Sequence, residues 1–217
     1  MAYLFLVRPT PLAVPKSFER HQVEQLLRLI DNTDGLELPV CLEHRNKPDF
    51  VISTRHRRIG LETSNFTDEE AMRADHLHWT RYPKAYVTTT GLRDGTRRRS
   101  NEELTTTMSA WDAPWEDVAE GAEHVATKIL ESIRIKQRKF RSQSFQKFDE
   151  NWLLLTDYQN PFSDRITDEI LARQLSAAIQ RGDTKGTEFD RIYVFCGRRC
   201  FRLCGNILST KLDQRKV

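Results

Sequence analysis

The run Trp152-Leu153-Leu154-Leu155-Thr156 constrains the fold more than any other stretch of this chain. Its apolar residues follow one another without alternation, which is the pattern of a strand buried on both faces. Such a strand needs helices to cover it, and the flanking sequence supplies them. Residues 17–30 read as a helix, with Val23, Leu26, Leu27 and Ile30 on one stripe at about 100° per residue. Pro15 and Ser17 suit its start. A longer helix is expected from about Trp115 to Phe140, where Ala122, Val125, Ala126, Ile129, Ile133 and Phe140 share a face. A third runs from Asp168 to Gln180 and ends near Gly182.

Between the first two helices lie three short strand-like segments. Leu36 to Leu42 follows the turn Asn32-Thr33-Asp34-Gly35. Pro48 to Ile52 and Arg57 to Glu62 look like the arms of a hairpin, with a basic turn between them. Residues 191–195 and 200–203 make a closing hairpin about Gly197. The predicted order is helix, three strands, helix, strand, helix, two strands. That is an α/β fold, a mixed central sheet flanked by helices. A length of 217 residues suits one domain, 1–217. Residues 65–114 are polar and poorly periodic, and are expected to be an insertion with a short helix near Asp68 to His78.

Composition narrows the class. With 38% hydrophobic and 30% charged residues the chain reads as soluble and globular. No run approaches the roughly 20 apolar residues of a membrane span. Residues 3–7 are too short for a signal peptide, so the expected location is the cytoplasm. Cys196, Cys200 and Cys204 lack the close spacing of a zinc site and read as small buried strand residues. The histidines His44, His56, His76 and His78 read as solvated surface. The net charge of +3 does not by itself call for a polyanion. Its distribution is more telling: Arg55, Arg57 and Arg58 form one basic knot, Arg97, Arg98 and Arg99 another. Arg134, Lys136, Arg138, Lys139 and Arg141 lie close together, as do Arg198, Arg199 and Arg202. Such clusters neutralise phosphates or sit as a solvated face.

The residues that carry chemistry are in the hairpin. Asp49 opens one strand and Glu62 closes the next. If the two strands pair, both carboxylates meet at one end of the sheet. Close carboxylates stay ionised together only beside a cation, and oxygen ligands of this kind suit magnesium. Such a metal generates a hydroxide nucleophile and stabilises charge on a phosphate.

Pro48-Asp49, a gap of twelve residues, and then Glu62-Thr63-Ser64 resembles the PD-(D/E)XK motif of restriction-type nucleases. The resemblance covers the hairpin closely and the element order over residues 17–204 loosely. It implies an αβββαβ core and an endonuclease-type hydrolase acting on nucleic acid, DNA ahead of RNA. It also implies Mg or Mn held by Asp49, Glu62 and the backbone carbonyl of Thr63. The chain departs from the motif at Ser64, where the family has a lysine. Some relatives supply that lysine from the following helix. With Ile133 at the centre of its stripe, Lys136 lies about 60° away and Lys139 about 120° away. A lysine on an apolar face needs a partner for its amine. Lys136 either finds the carboxylates or snorkels to water. Glu19 stands on the stripe of the first helix. It either reaches the metal, as the resemblance implies, or simply favours the helix start. Arg55, Arg57, Arg58, Arg97, Arg98 and Lys139 are the candidate phosphate contacts. A homodimer is compatible with all of this. The alternative reading is an inactive nuclease-like protein that binds nucleic acid or serves as a subunit of a complex. Ser64 favours that alternative.

Overall fold

The computed structural model describes residues 17–30, 36, 39–66, 77, 100–104, 118–157, 167–178, 187–196, 199–204 and 207–213. Helix α1 spans Ser17–Ile30, followed by strands β1 (Cys41–His44), β2 (Phe50–Ser53) and β3 (Arg58–Asn65). Helix α2 (Val118–Phe140) leads to β4 (Glu150–Thr156), and α3 (Asp168–Ala178) leads to β5 (Arg191–Cys196). Strands β6 (Arg199–Cys204) and β7 (Ile207–Asp213) close the chain.

Among the described residues the strands form one seven-stranded sheet in sequence order. The pairs β1–β2 and β2–β3 are antiparallel. The pairs β3–β4 and β4–β5 are parallel, and β5–β6 and β6–β7 are antiparallel again. The sheet is therefore mixed, as expected. Each parallel step needs a crossover, which α2 and α3 provide. Two crossovers of one hand that step the same way across a sheet lie on the same face. Accordingly α2 and α3 pack together with Leu153, Leu155, Ile192 and Val194. Helix α1 covers the other face with Ile59, Leu61, Trp152, Leu154 and Tyr193. Consecutive residues of Trp152–Leu155 thus enter opposite cores, which is why the run carries no alternation. Every one of them is fully buried.

The structure moves several boundaries. The strand expected over residues 36–42 starts only at Cys41, and Leu36 forms an isolated bridge. Strand β3 runs on to Asn65 because residues 62–65 pair with β4 after the ladder to β2 has ended. Strand β7 was not expected from the sequence. The insertion is in part built in. Phe66 joins the α2 face of the core, and Leu104 is fully buried. It lies on a helical turn at 101–104 whose cap is reciprocal. Glu103 N donates to Ser100 Oγ at 3.1 Å and Ser100 N donates to Glu103 Oε2 at 2.8 Å, a capping box. The helix expected near residues 68–78 lies outside the described residues except for Leu77, which is helical. Cys196 and Cys200 are buried, as expected, and fall in opposite cores. Burial pushes the Cys200 thiol up to about 12, so it stays protonated and inert. Cys204's side chain lies outside the described residues.

Candidate active site

Alternation along β3 decides which side chains meet. Ile59 and Leu61 enter the α1 core, so Gly60, Glu62 and Ser64 face α2. The β2–β3 ladder ends at Phe50↔Leu61, and its next step would set Asp49 opposite Glu62. Asp49 leaves the ladder and turns its carboxylate onto the following residue instead. Thr63 donates to Asp49 Oδ2 twice, from its backbone N at 2.8 Å and from Oγ1 at 2.9 Å. A strand residue presents its N–H and C=O to the same side. The Thr63 carbonyl therefore opens toward Asp49, past the last rung of β2.

From the helix side, Lys136 reaches down to the sheet. Its Nζ donates to Glu62 Oε1 at 2.6 Å, with side chains only 10% and 8% exposed. Of the two outcomes open to Lys136, the structure takes the pairing with a carboxylate rather than the route to water. Glu62 Oε2 is buried and, among the described residues, accepts no hydrogen bond. Burial raises the Glu62 pKa above the ordinary carboxylate value. The hydrogen bond and charge of Lys136 oppose that rise, the charge of Asp49 adds to it, and Lys139 opposes it weakly. Lys139 itself is exposed, one helical turn beyond Lys136.

Helix α1 lies against the opposite face of the sheet, so Glu19 approaches from the side away from Lys136. It is half-buried rather than part of the fully buried stripe. The basic knot sits at the far end of the hairpin. Arg58 and Glu62 are four residues apart on β3, about 13 Å along a strand. Arg57 pairs with Glu150. Arg58 places its guanidinium 5.1 Å from the centre of the Phe148 ring, and its N donates to Asp149 Oδ2 at 2.8 Å. Arg55 is exposed. Arg97 and Arg98 lie outside the described residues. His44 and His56 are exposed, as expected, and His76 and His78 also fall outside the described residues.

Other cations do stand near Asp49. The β1–β2 turn carries Arg45 and Lys47 onto the segment after α2. There Arg45 donates to Gln146 Oε1 at 3.1 Å and Lys47 to Ser144 Oγ at 3.3 Å. Sequence reasoning passed over both, although they immediately precede the Pro48-Asp49 pair. It also assigned Thr63 a carbonyl role while missing the two donors with which Thr63 fixes Asp49. Among the described residues no group of three or more His, Cys, Asp or Glu side chains gathers as a metal cluster; the site has two carboxylates.

No protein-family model, no curated protein and no solved structure matches this chain.

Proposed function

We propose that this chain is a metal-dependent phosphodiester hydrolase of the PD-(D/E)XK kind, acting on DNA. The observation that carries the reading is the buried Lys136–Glu62 contact. The motif's lysine is replaced by Ser64, and a lysine from the next helix occupies the same neighbourhood. The order α1-β1-β2-β3-α2-β4 supports the reading, being the core order that the motif implies.

The donor set fits a hard divalent cation. Glu62 Oε2 is a buried oxygen with no proton donor among the described residues, an arrangement that is costly unless a cation arrives. All hydrogen bonds described to the Asp49 side chain end on Oδ2, which leaves Oδ1 to serve as a ligand. Glu62 Oε2, Asp49 Oδ1 and the Thr63 carbonyl would hold magnesium or manganese, with water completing the shell. The bound ion supplies Lewis-acid stabilisation and a more acidic water. The chain's own residues do the rest. Thr63 orients Asp49. Lys136 holds Glu62 against rotation and has two further N–H donors for a water or a phosphate oxygen. Lys139 adds positive charge at the exposed rim.

The test is cleavage of plasmid and single-stranded DNA with magnesium or manganese. Asp49→Ala is expected to lower the rate by at least about 100-fold, the scale of a lost metal ligand. Equal rates for wild type and Asp49→Ala would end the enzyme reading. One observation favours an inactive nucleic-acid-binding relative: Lys136 already neutralises Glu62, so the pair can stand as structure alone. Calorimetry separates the two, since an inactive relative would take up no manganese at millimolar concentration.

A further inference from the structure

The β1–β2 turn and the segment that follows α2 meet over Gly60, two residues before Glu62 and on the same face of the sheet. A Cβ at Gly60 would lie 2.8 Å from Phe148 Cδ2 and 3.1 Å from Pro48 Cγ, one residue from each segment. The contacts of Lys47 with Ser144 and of Arg45 with Gln146 tie the two segments together. The β1–β2 turn brings Arg45 and Lys47, the end of α2 and the segment after it bring Lys139, Arg141 and Lys147, and Arg58 lies over the Phe148 ring. Two of them are answered by acids, Arg45 by Glu43 and Arg141 by Glu188. Among the described residues Lys47 bonds only the Ser144 hydroxyl. Lys147 lies over the Phe140 ring at 4.9 Å. Lys139 is exposed. The α2 dipole accounts for basic residues in its last turn, Arg138 and Lys139. It does not account for Lys47, which arrives from a different connection.

We propose that Lys47 and Lys147, with Lys139 one helical turn beyond Lys136, form the rim that holds the phosphate backbone of a nucleic acid. Arg55, exposed in the β2–β3 turn, is not part of it, and Arg57 is consumed by Glu150; Arg58, whose guanidinium lies 5.1 Å from the centre of the Phe148 ring, borders it. The ligand's identity rests on the nuclease reading; the location of the rim does not.

The experiment measures binding of a short DNA duplex to the full chain in EDTA, where no cleavage occurs, across a range of salt concentrations. Each lysine that neutralises a duplex phosphate contributes about 0.9 to the slope of log K against log salt. Lys47→Gln with Lys147→Gln is expected to lower that slope by nearly two and to raise KM in the manganese cleavage assay with kcat unchanged. Arg55→Gln is expected to leave both at wild-type values. An unchanged slope in the lysine variant, or a loss confined to Arg55→Gln, overturns the rim. Wild type that binds no duplex in 50 mM salt overturns it as well. The cleavage assay then reports separately on the nuclease reading, because Asp49 dependence of cleavage does not involve either lysine.

Discussion

Glu62 and Lys136 hold one another in place at a cost. Taking two charges out of water is expensive, and the contact is favourable only while both partners are present. Removing the cation leaves a buried carboxylate with nothing to answer it. Lys136→Met is therefore expected to cost about 3 kcal/mol at neutral pH in denaturant unfolding. The sign of the pH dependence follows from Glu62. Its pKa is raised in the folded state, so protonation favours the fold. That contribution is complete below the unfolded carboxylate value and is lost as pH rises through the raised one. Most of the stability lost in Lys136→Met is expected to return as pH falls across this window, and a loss that is flat with pH would show that packing, not charge, is the cause. Manganese has the opposite dependence. It needs Glu62 ionised, so calorimetric affinity is expected to climb with pH over the same window. Removal of the neighbouring ammonium is expected to tighten manganese in Lys136→Met even as activity falls.

The hairpin shows what sequence could and could not reveal about the site. Asp49, Glu62 and Lys136 were legible because strand and helix periods are rigid: a fixed angle per residue carries Lys136 to the sheet. The arginines at 55–58 were read as phosphate contacts from their charge; the hairpin already puts their turn at the end away from Asp49, because the four residues of β2 carry the chain off before it. Strand β7 was illegible. Its sequence Ile207-Leu208-Ser209-Thr210-Lys211-Leu212-Asp213 shows neither period-2 alternation nor an unbroken apolar run, and only its pairing with β6 defines it. Within β3, Gly60 has a role that composition hides. A methyl group there would press on Phe148 and Pro48, and Pro48 precedes the metal-ligand candidate. Gly60→Ala is expected to cost about 1–3 kcal/mol in thermal or chemical unfolding by overpacking and to lower cleavage by shifting Asp49. Adding Phe148→Leu should restore stability if the clash is the cause.

Across the whole molecule the two ends of the central strands are specialised differently. At the N-terminal ends of β3, β4 and β5, Glu150 is a shared acceptor. It takes Arg57 and Trp152 Nε1, the latter at 2.8 Å, while Arg191 lies 3.4 Å away. Arg191 also lies over the Trp152 ring at 4.9 Å. This cluster joins three strands and contains no candidate ligand. Glu150→Ala is expected to cost about 2 kcal/mol in chemical unfolding. Manganese binding should be unchanged, since Glu150 pairs in register with Ile59, three residues (about 10 Å) from Glu62. A parallel loss of metal affinity would mean that the two ends are coupled through β3.

The tether from Thr63 to Asp49 depends on the register of two strands. A slip of one residue between β2 and β3 would reverse the facing of every β2 side chain. Phe50 and Ile52 would leave the α1 core, and Asp49 would lose both donors in the same movement. Correct burial and correct placement of the carboxylate are thus one event. A population of this protein should hold few molecules that are folded yet lack the site, and partial activity in a damaged sample would count unfolded chains rather than misassembled centres.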